Sequence, residues 1–211
     1  MPRDDRRPRR AHRTEHPARC GRPAVPAGGG DLSDDEPKRA ANSDAGSDAA
    51  AARADRLRTI AYLDLDEGRG PVELLDDGTI RTLLANGPRI AVVGASSRAE
   101  RASNDVMGSL LARGFDCVPV NPNERSVLGR DCFPTLGAAV EATGPVEIVD
   151  VFRRSELCLP HAHEAVEVGA QCLWLQLGVV SWDAAKVAAD AGLGVVMDRC
   201  LKIEVRRLLR G

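Results

Sequence analysis

Beyond Pro88 the chain alternates short, nearly continuous apolar runs with longer stretches in which apolar residues recur every three or four positions. The continuous runs predict strands buried on both faces, and the wider period predicts helices with one packed stripe. The expected strands are 89–93, 115–120, 146–152, 172–177 and 193–197, with a short additional one near Cys132 and Phe133. Between them, Val106, Met107, Leu110 and Leu111 share a helical face that Ser103 should cap and Gly114 should close. Further helices are expected over 136–142, from Pro160 to Val168 before Gly169, and from Ser181 as cap through Asp190 to a stop at Gly192. Leu201, Val205, Leu208 and Leu209 fall at i, i+4, i+7 and i+8, a closing amphipathic helix that turns Lys202, Arg206, Arg207 and Arg210 to water. Upstream, Ile80, Leu83 and Leu84 predict a short helix ended by Gly87-Pro88.

Strands that alternate with helices of this length imply a parallel sheet covered on both sides. The expected fold class is therefore α/β, a Rossmann-like doubly wound parallel sheet preceded by a disordered N-terminal tail. Residues 1–55 are the tail, 56–78 a weakly structured segment, and 79–211 the folded domain. The tail holds almost no large apolar side chain, so it cannot offset the entropy of ordering. Its charge is split, with Arg3, Arg6, Arg7, Arg9 and Arg10 ahead of Asp31, Asp34, Asp35 and Glu36.

Composition narrows the function classes. A net charge of -2 gives no general attraction to nucleic acid. The six cysteines are scattered singly, without zinc spacing, as expected of free thiols in a reducing cytosol. No apolar stretch is long enough to span a membrane, which points to a cytoplasmic protein with no membrane partner. His161 and His163 are two apart on a helix, hence on different faces, and Trp174 and Trp182 are expected to pack.

In a doubly wound sheet, ligands bind beyond the carboxyl ends of the strands, where strand order reverses. Gly94 follows the first strand at once and leads into a helix N-terminus, with Arg98 and Arg101 nearby, a plausible diphosphate site. It is not a G-x-G-x-x-G loop, since only Gly94 of the three glycines is present, and the second strand ends Val120-Asn121-Pro122 without the acid that holds an NAD ribose. No G-x-x-x-x-G-K-[ST] loop exists. The surplus of arginines suits a ligand with an additional phosphate, such as the 3′-phosphate of coenzyme A.

The run Ile90-Ala91-Val92-Val93-Gly94-Ala95-Ser96 with Arg101 and Ser103 resembles the opening of the small bacterial CoA-binding proteins. Val120-Asn121-Pro122, 149–155, 174–179 and 196–202 are similar to later blocks of that family, in the same order. The family in turn resembles the CoA-binding domain of the succinyl-CoA synthetase α subunit. The resemblance implies binding of coenzyme A or a short acyl-CoA and supplies no reaction; with no catalytic constellation in the loops, non-catalytic binding is the expectation. It implies that Gly94, Ala95, Ser96, Arg101 and Ser103 hold the diphosphate, that Asn121 and Pro122 flank the nucleotide, and that Phe152, Arg153 and Arg154 meet the rest of the cofactor. Gln176, Gly178, Asp198, Arg199 and Lys202 match family positions and contact ligand or brace the loops; a mutual Asp198–Arg199 pair is one such brace.

Two other readings stay open. The fold alone is compatible with an NAD(H)-binding regulator. Cys200, between Arg199 and Lys202 at an expected helix start, is the thiol best placed for a redox role, such as a mixed disulfide with the coenzyme. No nucleophile elbow or Ser-His-Asp arrangement is visible.

Overall fold

The structure, a computed structural model, describes residues 44–209. The arginine-rich start, Cys20, most of the expected tail and Arg210 lie outside the described residues. Helices α1 (Asp44–Asp66) and α2 (Asp77–Ala85) precede β1 (Ile90–Val93), α3 (Ala102–Ala112) and β2 (Cys117–Val120). A small antiparallel hairpin, β3 (Ser126–Val127) and β4 (Arg130–Asp131), leads to α4 (Leu136–Thr143) and β5 (Ile148–Val151). A single 3-10 turn (Ser155–Leu157) and α5 (Leu159–Glu167) follow, then β6 (Cys172–Leu175), α6 (Trp182–Asp190), β7 (Gly194–Val196) and α7 (Leu201–Leu208).

Five strands form one parallel sheet in the order β2-β1-β5-β6-β7. Alternate residues of each strand feed two cores, which is why the runs are apolar at every position. Ala91, Val93, Val149, Val151, Leu173 and Leu175 pack with α4, α5 and α6 on one face. Ile90, Val92, Ile148, Trp174 and Val196 pack with α2, α3 and α7 on the other. The chain steps from β1 out to β2 and returns to β5 on the opposite side of β1, so strand order reverses between β1 and β5. The five strands end close to register, which brings the segments beginning at Gly94, Asn121, Phe152, Gln176 and Met197 to one rim. No helix among the described residues is long and apolar enough to cross a membrane.

Several local expectations need correction. Helix α3 starts one residue before Ser103; Arg101 is its cap and no side chain closes the turn, while Ser103 is buried inside the first turn. The short strand near Cys132 and Phe133 is instead the β3–β4 hairpin, with Phe133 making an isolated bridge to Val120. Lys202 and Arg207 do not simply face water. Lys202 is paired with Asp105, and Arg207 joins Asp77 and Glu204 in tying α7 to the start of α2.

Helix α1 crosses the boundary expected between tail and weakly structured segment. Its Ala49–Ala52 run is the strongest intrinsic helix former in the chain, and helix from propensity alone leaves no apolar period to read. Only its last turns are anchored, through Ala61, Tyr62 and Leu65 against the sheet's first core and a hydrogen bond from Trp182 Nε1 to the Ala61 carbonyl at 3.2 Å.

Candidate functional site: a cationic cleft at the β1–β5 switch point

The rim segments enclose a cleft of about 1150 Å³, somewhat larger than the roughly 300–1,000 Å³ that small-molecule sites usually span. Gly94 stands where β1 and β5 part. Its φ is +83°, and a β-carbon there would lie 2.6 Å from the Phe152 carbonyl oxygen, so the backbones approach as closely as glycine permits. The Gly94 N–H donates to the Val120 carbonyl at 2.9 Å, and the Phe152 N–H to the Val93 carbonyl at 2.8 Å, which carries the sheet's ladder into the site.

The loop from Gly94 to Arg101 is held by side chains of its neighbours. Asn121 Nδ2 donates to the Ala95 carbonyl at 2.7 Å, and Asn104 Nδ2 to the Ser96 carbonyl at 2.8 Å. Glu124 reaches across from the β2 loop; its Oε1 accepts from the Ser97 N–H at 3.0 Å and from Ser96 Oγ at 3.3 Å. Those bonds hold the Glu124 carboxyl below its ordinary range. The loop then enters α3 at an N-terminus without a side-chain cap, an end that favours an anion.

Around this cradle the cleft is cationic. Arg98, Arg101, Arg153, Arg154 and Lys202 line it against two acids, Asp105 and Glu124. Arg153 is half-buried beside Gly94, and Arg154 is exposed, with its Nε 3.4 Å from Glu156.

Most of the residues singled out from the sequence meet here. Gly94, Ser96, Arg101, Ser103, Asn121, Phe152, Arg153, Arg154, Gln176, Gly178 and Lys202 all line the cleft. Four do not. Ala95 is fully buried beneath the loop, and Pro122 is exposed outside the lining. Asp198 and Arg199 line a separate hollow against α1. Nor do they pair with each other, as the sequence suggested. Asp198 Oδ1 accepts from the Gly178 N–H at 2.6 Å, bracing the β6 loop, while the Arg199 guanidinium binds Asp77 at 2.6 Å and Glu204 at 2.8 Å. Adjacent residues diverge because Asp198 adopts φ +53°, turning the chain between them.

Two acids escaped the sequence reading. Glu124 carries no signal beyond its place in the β2 loop. Asp150 does: it is an acid in the middle of an apolar strand, and it is fully buried. Burial pushes its carboxyl up to about 8. Its Oδ1 accepts from Gln176 Nε2 at 2.7 Å and its Oδ2 has no hydrogen-bond partner. Gln176 in turn lines the cleft, so Asp150 sits one side chain behind the wall.

The thiols separate by position. Cys117, Cys158 and Cys172 are buried and pushed up to about 12, 11 and 12, mainly by desolvation. Cys200 is half-buried in the cleft wall at the cap of α7. Trp174 is fully buried, with Nε1 donating to the Arg199 carbonyl at 2.6 Å, and His161 bonds Glu164 on its own helix at 2.8 Å. No group of three or more His, Cys, Asp or Glu that could hold a metal occurs among the described residues.

The chain is 38% identical over 124 residues to an uncharacterized Bacillus subtilis (strain 168) protein, YneT, covering 59% of this chain and 90% of that one. A hypothetical protein from Pyrococcus horikoshii OT3 superposes with a TM-score of 0.61 at 39% identity, over 64% of this chain and 94% of its own. A Thermus thermophilus protein gives 0.60 at 31% identity, over 64% of this chain and 100% of its own. The family model described as a CoA binding domain matches residues 88–206. That match takes in every cleft-lining segment and more than half of the chain, which therefore belongs to the CoA binding domain family.

Proposed function

We propose that this protein is a cytosolic, non-catalytic binder of coenzyme A or a short acyl-CoA. The observation that carries the reading is a single cleft at the sheet's switch point, lined by four arginines and a lysine beside an uncapped helix N-terminus, in a chain of the CoA binding domain family. The diphosphate would lie on Gly94, Ser96, Arg101 and Ser103, the nucleotide would pass Asn121, and the remainder would run past Phe152, Arg153 and Arg154. Neutralising several phosphate charges requires this surplus of guanidinium groups, which a neutral ligand would leave unpaired. An NAD-type reading is less well supported, since the amide of Asn121 at the end of β2 is spent on the Ala95 carbonyl. Calorimetry tests the proposal. CoA should bind more tightly than its 3′-dephospho form, NADH should give no heat, and Arg101→Ala should weaken CoA about tenfold or more, the loss of one charge-assisted hydrogen bond. Absence of heat with every CoA species would overturn it.

One observation favours a second reading, thiol-redox regulation: Cys200 alone of the described cysteines lines the cleft. Incubation with CoA disulfide would let the Cys200 thiolate displace one CoA thiol and form a mixed disulfide, detectable by mass. An unmodified Cys200 would remove this reading.

A further inference from the structure

Large apolar side chains left exposed on a protein surface are ordinary when scattered, and informative when they converge. Three do so here. Leu157 (44% exposed), Leu177 (63%) and Ile203 (49%) come from the turn after β5, the loop after β6 and the start of α7, and all three line the cationic cleft. Nothing in the packing of the sheet demands them. They lie outside both cores, and a polar residue at any of the three would cost the fold little.

Their placement along the rim is ordered. Following the sheet from β2 to β7, the rim presents Asn121 and Glu124 after β2, Ser96, Arg98 and Arg101 after β1, Arg153, Arg154 and Leu157 after β5, and Leu177 after β6, with Ile203 of α7 beside Lys202. Ser155 Oγ accepts from the Val180 N–H at 3.1 Å, which ties the turn bearing Leu157 to the loop bearing Leu177. Buried Val179 and half-buried Phe152 extend the same apolar wall. Neighbouring strands are about 4.8 Å apart, so the loop after β6 lies two strand steps from the anion cradle after β1.

A ligand matching this cleft carries phosphates at one end and a hydrocarbon group at the other. We propose that the Leu157–Leu177–Ile203 wall receives the acyl chain of an aliphatic acyl-CoA thioester, so that the protein discriminates acylated from free coenzyme A and prefers chains longer than acetyl. The inference rests on the CoA reading above and sharpens it to one ligand class.

The test is a calorimetric series of CoA, acetyl-CoA, butyryl-CoA and hexanoyl-CoA with the whole chain. Affinity should rise along the series by about two- to fourfold per added methylene until the wall is covered. In the double variant Leu157→Ser, Leu177→Ser the hexanoyl-to-acetyl ratio should fall toward one, and both sites are exposed, so the fold survives the change. If CoA binds but the series is flat, or if its slope persists in the variant, the acyl inference is overturned while the CoA reading stands. If no member binds, the CoA reading fails and this inference falls with it. A flat series together with a wild-type dimer that the double variant dissociates in sedimentation would assign the wall to a second copy of the chain, and also refutes the proposal.

Discussion

Replacing Gly94 by alanine should damage both stability and binding, and its cost divides into two parts that can be measured separately. The first is conformational: at φ +83° an L-residue is strained by about 1–2 kcal/mol. The second is steric. The new methyl group would meet the Phe152 carbonyl oxygen at 2.6 Å, and because that oxygen belongs to the backbone at the end of β5, the strand end itself must move. Forcing extra volume into such a place costs about 1–3 kcal/mol. Gly114 supplies the control. It has nearly the same φ, +86°, at the end of α3, but a β-carbon there meets nothing within 4 Å. Gly114→Ala should therefore show the conformational part alone. For a chain of this size 1 kcal/mol moves the melting temperature by roughly 2–4 °C, so Gly94→Ala should melt about 2–12 °C below Gly114→Ala. Calorimetric melting of the two variants at one pH measures the gap. CoA titration should find binding impaired only in Gly94→Ala. Equal melting temperatures, or unimpaired CoA binding in Gly94→Ala, would refute the close β1–β5 approach as the basis of the site.

The remaining predictions concern the two acids the sequence reading passed over. Glu124→Ala frees the Ser97 N–H for an incoming phosphate and removes a negative charge from the cleft, so CoA affinity should rise about tenfold, the equivalent of one charge-assisted hydrogen bond; a fall in affinity by calorimetry would make Glu124 a prop for the loop instead. Asp150 has its folded-state pKa raised to about 8, so the folded protein holds a proton that the unfolded chain releases near its ordinary value. The stability this contributes is full below about pH 4 and is lost as pH climbs to about 8, with a slope of at most roughly 1.4 kcal/mol per pH unit. Asp150→Asn should flatten that decline in urea unfolding at pH 5, 6, 7 and 8; an unchanged slope would mean that Asp150 is ionised throughout.

The sheet was legible because its five strands are buried on both faces, and only continuous apolar runs satisfy that arrangement. Once the strands are placed, the rim follows from geometry, which is why Gly94, Arg101, Phe152 and Gln176 could be grouped although they span much of the domain. What escaped was whatever depends on who meets whom. Arg207 reads in the sequence as a water-facing charge and Arg199 as a partner of its neighbour Asp198, yet both are held by Asp77, more than a hundred positions away. That contact holds the Asp77 carboxyl well below the usual carboxylate range, and no local pattern announces it. One helix cap failed for a related reason. Ser103 is a good cap residue by type, but it is buried inside the first turn, and α3 begins at Ala102 with Arg101 as a cap whose side chain makes no capping bond.

The absent glycines of the dinucleotide fingerprint take on a physical meaning in this setting. Counting from Gly94, the second and third glycine positions are Ser96 and Ala99. In a dinucleotide site the second glycine lets a pyrophosphate touch bare backbone. Here that position carries a hydroxyl whose Oγ is hydrogen-bonded to Glu124 and accepts from the Arg98 N–H at 3.3 Å. A phosphate approaching this loop meets a side chain and a carboxylate before it meets the peptide. It must therefore arrive with enough charge to displace Glu124, and it must gain more from the surrounding arginines than it loses at the loop. A ligand bearing a third phosphate meets that condition better than a dinucleotide with two, so the broken fingerprint and the arginine surplus point to the same ligand.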